Sequence, residues 1–283
     1  MAHIPFPSNI TPTATTPVTK RPIRLLGVWA HPDDEAYLSA GLMARVIEAG
    51  GEVTVLTATL GELGFPEDDT RSLTEKAEQR DAEMRAAMAE IGVHDVRFMR
   101  WADGEVAEVP VHLATRRIAS VIHNVQPDLI VTFGPDGITG HPDHIAISRA
   151  ATAAWRSTGI GELLYATSTT TWLADFRDLH ERLGVFMGEE PAGTDPEDLA
   201  LHVELSSTEL SRKRDVLARH ASQTVGIAEA MGEDVYLAWS KDEYFRAPTA
   251  ADLNALSPSA VPEDDYLWSE AWIELTRDLA TAA

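Results

Sequence analysis

Through the first half of the chain, short apolar runs alternate with longer amphipathic stretches, beginning at Ile23. The run "IRLLGVWA" predicts a strand, and residues 35–49 carry helical spacing and stop at Gly50-Gly51. "EVTVLTATL" predicts a second strand. Residues 73–91 predict a long charged helix ending at Gly92, and "DVRFMRW" a third strand before the loop at Asp103-Gly104. A helix is expected over 111–124. "DLIVTF" is the clearest strand, β-rich and apolar throughout, as a central parallel strand should be. A further helix is expected over 142–157. After "GELLYATST" the pattern weakens, leaving a strand over 200–205, a helix over 208–219 and a C-terminal helix from Glu263.

Parallel neighbours need a long connection, so strands alternating with helices predict an α/β fold, a Rossmann-like, mostly parallel sheet flanked by helices. The first residues, 1–21, are rich in Pro, Thr and Ser and read as a flexible arm, leaving 22–283 as a single domain whose C-terminal part is less regular. No apolar run approaches the roughly 18 residues that a membrane span needs, and the opening lacks the pattern of a signal peptide, so a soluble cytoplasmic protein is expected. The formal net charge is −22, from 23 basic and 45 acidic residues, which works against nucleic acid or an anionic membrane as partner. A small-molecule substrate is expected, and a homo-oligomer is left open.

There are no cysteines, so thiolate chemistry is excluded and any metal must be held by His, Asp or Glu. The turn after the first strand has no glycine-rich phosphate loop. It reads "AHPDDEAYLSAG", whose three acids would repel a pyrophosphate. A second His-Pro-Asp occurs in "TGHPDHIA", after "DLIVTF" and a glycine-rich loop. Both segments follow the carboxyl end of a predicted strand, where open α/β sheets collect ligands, and they meet over one pocket if the two strands are neighbours. Proline suits the first helical position, and side chains three apart share a face. That pairs His31 with Asp34 and His141 with His144. Two imidazoles and a carboxylate suit a catalytic zinc ion with a fourth position open, while Asp33 could point toward a water there. Spacing leaves open which histidine of "HPDH" binds metal. Magnesium on Asp33, Asp34 and Glu35, serving a phosphoesterase, is the rival reading; the imidazoles favour zinc.

The paired motifs "AHPDDE" and "HPDH" resemble the LmbE-like (PIG-L) family of zinc-dependent N-deacetylases, over about residues 23–148, and "RHASQT" resembles a stretch that many bacterial members carry. The resemblance implies one Zn²⁺ per chain on His31, Asp34 and His144, with Asp33 as general base. It makes His141 the group that stabilises the oxyanion and protonates the leaving amine, with Asp143 orienting it. The implied reaction is removal of an N-acyl group, acetyl in the first instance, from an amino-sugar-like substrate by activated water; an amidase for a larger thiol or amino-acid conjugate is the same-class alternative. Arg80, Asp103 and Glu62 match or lie near positions that contact substrate, although Arg80 could instead pair with Glu83 or Glu75 on a helix surface. Thr139 stands where the mycothiol enzymes carry tyrosine, which places the chain in the broad bacterial branch of the family rather than with those enzymes.

Overall fold

The computed structural model describes residues 21–255. The arm expected at the N-terminus, apart from Arg21, and the helix expected from Glu263 lie outside the described residues. The Rossmann-like half runs β1 (Arg24–Trp29), α1 (Asp34–Glu48), β2 (Glu52–Thr57), α2 (Leu73–Glu90), β3 (Asp95–Phe98), α3 (Val111–Val125), β4 (Leu129–Phe133), α4 (Pro142–Thr158) and β5 (Glu162–Thr167). The remainder runs α5 (Thr170–Asp175), α6 (Arg177–Leu183), β6 (Leu201–Glu204), α7 (Ser207–Arg219), α8 (Ala221–Met231), α9 (Glu233–Ser240), β7 (Asp242–Arg246) and α10 (Ala250–Ala255).

One sheet of seven strands has the order β3-β2-β1-β4-β5-β7-β6. The first five are parallel, as the pattern predicts, and β7 lies between β5 and β6, antiparallel to both. Strand β4 is buried along its whole length, which its unbroken apolar run requires of a strand covered on both faces. Helices α1, α2 and α7 pack together, and α3 packs on α4. Helix α3 turns Ala114, Ile118 and Ile122 inward at four-residue spacing. Both α2 and α7 open with a reciprocal capping box, Ser72 with Glu75 and Ser206 with Glu209, which satisfies backbone donors that a helix start leaves unpaired. No helix among the described residues is long and apolar enough to cross a membrane.

Candidate metal centre

Strands β1 and β4 are hydrogen-bonded neighbours, with Leu25 opposite Leu129 and Gly27 opposite Val131. Strand order turns between them, one direction leading to β2 and β3 and the other to β5. The crevice at the carboxyl ends at such a point is where open α/β sheets bind ligands. Each strand delivers one His-Pro-Asp segment to it. Beneath them Trp29 meets Phe133 edge-on at 5.0 Å, and Phe133 stacks on the His144 ring at 4.1 Å.

The first segment is folded back on itself by its own carboxylates. Asp34 Oδ2 accepts the backbone N–H groups of Ala30 (3.2 Å) and His31 (2.8 Å), which leaves Oδ1 to face His144. Asp33 sits at φ 119°, a left-handed conformation that costs a non-glycine residue of order 1–3 kcal/mol. It is held there from several sides. Its N–H donates to Glu35 Oε2 (3.0 Å), and its carbonyl accepts the first helical N–H groups, from Ala36 and Tyr37. Arg80 donates to the carbonyls of Pro32 and Gly61 and places Nη2 3.3 Å from Asp33 Oδ2. Gly61 makes room for that guanidinium, because a Cβ there would lie 2.1 Å from Nη1. Glu35 is fully buried and pairs at 2.8 Å with Nε2 of His220, also fully buried. Burial opposes a charge on His220, but Glu35 outweighs it and raises the imidazole pKa.

In the second segment the two histidines find different partners. His141 is the N-cap of α4, and its Nδ1 accepts the N–H of Asp143 at 3.1 Å, with Pro142 filling the first helical position. Burial, then the charges of His31 and His144, hold the His141 pKa below its ordinary value. The neutral ring therefore carries its one proton on Nε2 and is a donor. His144 is the reverse. Its Nδ1 donates to the carbonyl of Gly137 (3.0 Å), leaving a lone pair on Nε2, and burial, followed by the neighbouring His31 charge, pushes its pKa down to about 3. Gly137 permits this approach: its φ is +66°, and a Cβ would lie 2.9 Å from His144 Cβ.

His31 Nε2 lies 3.1 Å from Asp103 Oδ1 and 3.3 Å from Asp143 Oδ2, and donates to that pair, which turns Nδ1 toward Asp34 and His144. Burial works against a charge on His31, but the bonds to Asp103 and Asp143 prevail and raise its pKa to about 10. Carboxylates that favour positive charge at this ring would favour a divalent cation at Nδ1 for the same reason. Burial also pushes Asp33 and Asp34 up to about 6, against the opposing pull of Arg80 on Asp33 and of His31 on Asp34.

These atoms can hold a metal. His31 Nδ1 and His144 Nε2 are 3.1 Å apart, His144 Nε2 is 3.4 Å from Asp34 Oδ1, and His31 Nδ1 is 3.8 Å from Asp34 Oδ2. Donors around a tetrahedral zinc bound at about 2.0–2.1 Å stand roughly 3.3 Å apart, close to the spacing of the two histidine nitrogens and of Asp34 Oδ1 from His144; His31 is matched to the other oxygen of Asp34, at 3.8 Å. Among the described residues, two groups have donor atoms all within 4.8 Å of one another, His31 with His141 and His144, and His31 with Asp103 and Asp143. The first fails on His141, whose Nε2 carries the proton. The second gathers about Nε2 of His31, where Asp143 also accepts the N–H groups of Gly104 (2.9 Å) and Val106 (3.1 Å).

The fold thus brings His31, Asp33, Asp34, His141, Asp143 and His144 together. Asp143 reaches His141 through its N–H, while its carboxylate serves His31 and the 104–106 backbone. Arg80 is buried against Asp33 and is no surface partner of Glu83 or Glu75. Asp103 supports His31 and accepts the N–H of Leu63. Glu62 accepts the N–H of Asp103, while its buried Oε2 has no hydrogen-bond partner among the described residues. Arg80 and Asp103 also line a cavity of about 860 Å³ over the centre, together with Asp33, Asp34, His141 and His144. Sequence reasoning missed the Glu35–His220 pair, for which the one available signal was the position of His220 in "RHASQT".

Comparison with known proteins adds a lineage to this geometry. A 1D-myo-inositol 2-acetamido-2-deoxy-alpha-D-glucopyranoside deacetylase from Actinosynnema mirum is 33% identical over 234 residues, covering 72% of this chain and 82% of the relative. Its counterpart from Thermobifida fusca is 32% identical over 241 residues, covering 71% and 83%. The solved N,N'-diacetylchitobiose deacetylase from Pyrococcus horikoshii shares the fold, with a TM-score of 0.54 at 20% identity over 79% of this chain and 82% of that one. The first two are named for an acetamido sugar joined to 1D-myo-inositol, and the expectation, drawn from Thr139, that the chain stands apart from the mycothiol enzymes is not borne out. That residue has a local duty: its Oγ1 lies 3.3 Å from His144 Nδ1 and its carbonyl accepts the N–H of Met187. The family model described as PIG-L, GlcNAc-PI de-N-acetylase, matches residues 26–155, a span holding both His-Pro-Asp segments, and the chain belongs to that family.

Proposed function

We propose that this protein is a zinc-dependent N-deacetylase that hydrolyses the amide of an N-acetylated amino sugar, with one zinc per chain held by His31, Asp34 and His144. The observation that carries this reading is the convergence of side chains on one point: His31 Nδ1 and His144 Nε2 approach to 3.1 Å with Asp34 Oδ1 3.4 Å from His144 Nε2, while Asp103 and Asp143 take the far nitrogen of His31 and the Gly137 carbonyl that of His144. The relatives named for an acetamido sugar support the substrate class.

Zinc bound there supplies Lewis-acid polarisation of the scissile carbonyl and makes a water acidic near neutral pH. Asp33, beside the ligands and held by Arg80, takes the proton from the attacking water. The Nε2–H of His141 donates to the oxygen that becomes negative as the tetrahedral centre forms. Asp33 is then the group left holding a proton, and the departing amine nitrogen receives it from there. His141, whose Nδ1 is taken by the Asp143 N–H, presents Nε2 to the developing oxyanion as a hydrogen-bond donor.

The test is release of primary amine from N-acetylglucosamine and N-acetylated disaccharides by the zinc-loaded protein. Turnover is expected, and Asp33→Asn should abolish it while zinc stays bound. Zinc-loaded wild-type protein that releases no amine from any of these sugars overturns the assignment.

A further inference from the structure

The cavity over the metal centre has two chemically distinct halves. One holds the ligands and Asp33, with Arg80 and Asp103 beside them, and suits a molecule rich in hydroxyl groups. The other comes from the second half of the chain and is formed by Trp172, Phe186, Met187, Ile227, Met231 and Trp239. The indole N–H groups on that side are already used: Trp172 Nε1 donates to the carbonyl of Trp239 and Trp239 Nε1 to His180 Nε2, both at 3.0 Å. The two indoles lie 5.5 Å apart and are locked with His180, so they present ring faces to the contents of the cavity, with Asp242 and Tyr244 among the polar residues that also line it. The apolar lining also reaches the surface. Met187 is 66% and Ile227 40% exposed, and Leu63, which also lines the cavity, is 58% exposed.

A bare amino sugar leaves this half unused. At about 860 Å³ the cavity is of the size that encloses a drug-sized molecule. Resting on the deacetylase reading of the same cavity, we infer that the substrate is an N-acylated amino sugar bearing a bulky, uncharged, ring-containing aglycone, which lies against Trp172 and Trp239 and leaves past Met187 and Ile227. A long chain on the acyl side would call for a narrow, closed channel, whereas this lining sets the rings of Trp172, Phe186 and Trp239 beside Met187, Ile227 and Met231 and is open at its lip. The net charge of −22 disfavours a phosphate or carboxylate in the aglycone.

Three probes separate the alternatives on the zinc-loaded protein: N-acetylglucosamine, phenyl N-acetyl-β-glucosaminide and N-octanoylglucosamine. The phenyl glycoside should show kcat/KM about tenfold or more above N-acetylglucosamine, chiefly through KM, which is the scale of one aromatic stacking contact with its burial. Met187→Asp and Ile227→Asp, at exposed positions that do not decide folding, should bring that ratio toward one. A ratio near one in the wild type, a larger gain for N-octanoylglucosamine, or a ratio unchanged in both variants overturns the inference. If no probe is hydrolysed, the deacetylase reading fails and calorimetry judges the subsite separately. A Kd for the phenyl glycoside about tenfold below that of N-acetylglucosamine upholds it, and equal values overturn it.

Discussion

His141 and His144 stand one helical turn apart with opposite chemistry, because one Nδ1 accepts a backbone N–H and the other donates to a carbonyl. Their removal should therefore fail in different ways. His144→Ala is expected to lose zinc and activity together. His141→Ala should keep zinc and lose about a hundredfold or more in kcat, the usual cost of one oxyanion donor. Metal analysis beside amine-release kinetics separates them, and a zinc-replete His144→Ala protein would remove that residue from the ligand set. A second prediction concerns Asp33, whose φ of 119° is maintained partly by Glu35, itself held by His220. His220→Ala should lower kcat about 10–100-fold, the range typical of outer-shell partners, with KM little changed and zinc retained. His220→Gln, which can still donate to Glu35, should recover part of the loss. A variant whose only defect is instability would show that the pair serves the fold alone.

At the level of elements, the alternation of apolar runs located β1, β4 and α1 to α4 within a residue or two, because each is covered on both faces or along one stripe; it overran β2 and β3 by three residues, and β5 was not assigned as a strand. Strand β7 was not legible. Its sequence "DEYFR" places Glu243 at a buried position, and the charge breaks the apolar pattern by which a strand is read. Only the assembled sheet supplies the partners. Lys213 Nζ meets Glu243 at 2.8 Å and also donates to the carbonyl of Tyr37, while Glu243 accepts the N–H groups of Gly41 and Leu42 on α1. Lys213 is 1% exposed and the carboxylate fully buried, so Lys213→Met leaves an uncompensated charge and should cost about 3–5 kcal/mol in urea unfolding. The double variant with Glu243→Gln should be less destabilised than the single one; equal losses would mean that the pair is not coupled. Helices α1 and α7 are joined by Arg45 and Glu209 at 2.6 Å. Burial raises the Glu209 pKa, but bonds from Arg45 and Ser206 outweigh it and bring it from 4.5 down to about 2. The contribution of this clamp is present in full above pH 4.5 and is lost as pH falls through 2. The stability gap between wild type and Glu209→Gln should accordingly close over that window, and a gap independent of pH would count against the clamp.

Across the whole molecule, the sequence located both His-Pro-Asp segments but not the distance between them. More than a hundred residues separate His31 from His144, and only the adjacency of β1 and β4 brings their ring nitrogens to 3.1 Å. The supporting groups were less legible still. Asp103 with the Gly104 and Val106 N–H groups, Arg80, and His220 arrive from three separate parts of the chain, and what each does depends on an atom that no spacing rule identifies. Such convergence from distant elements concentrates charge at one point: Asp33, Asp34, Asp103 and Asp143 surround a single imidazole pair, with Arg80 as the nearby guanidinium. A divalent cation relieves that concentration, so metal should stabilise the whole fold as well as enable turnover. Free zinc at a hundred times its Kd contributes about 2.7 kcal/mol, enough to move the melting temperature of a chain of this size by several degrees. Chelation is expected to lower Tm by that amount and abolish amine release, and zinc should restore both. Magnesium should restore neither, because a site with two imidazole donors suits zinc better than a hard cation. A melting temperature indifferent to chelator, in protein shown to have lost its metal, would place the cation's contribution elsewhere than at this convergence.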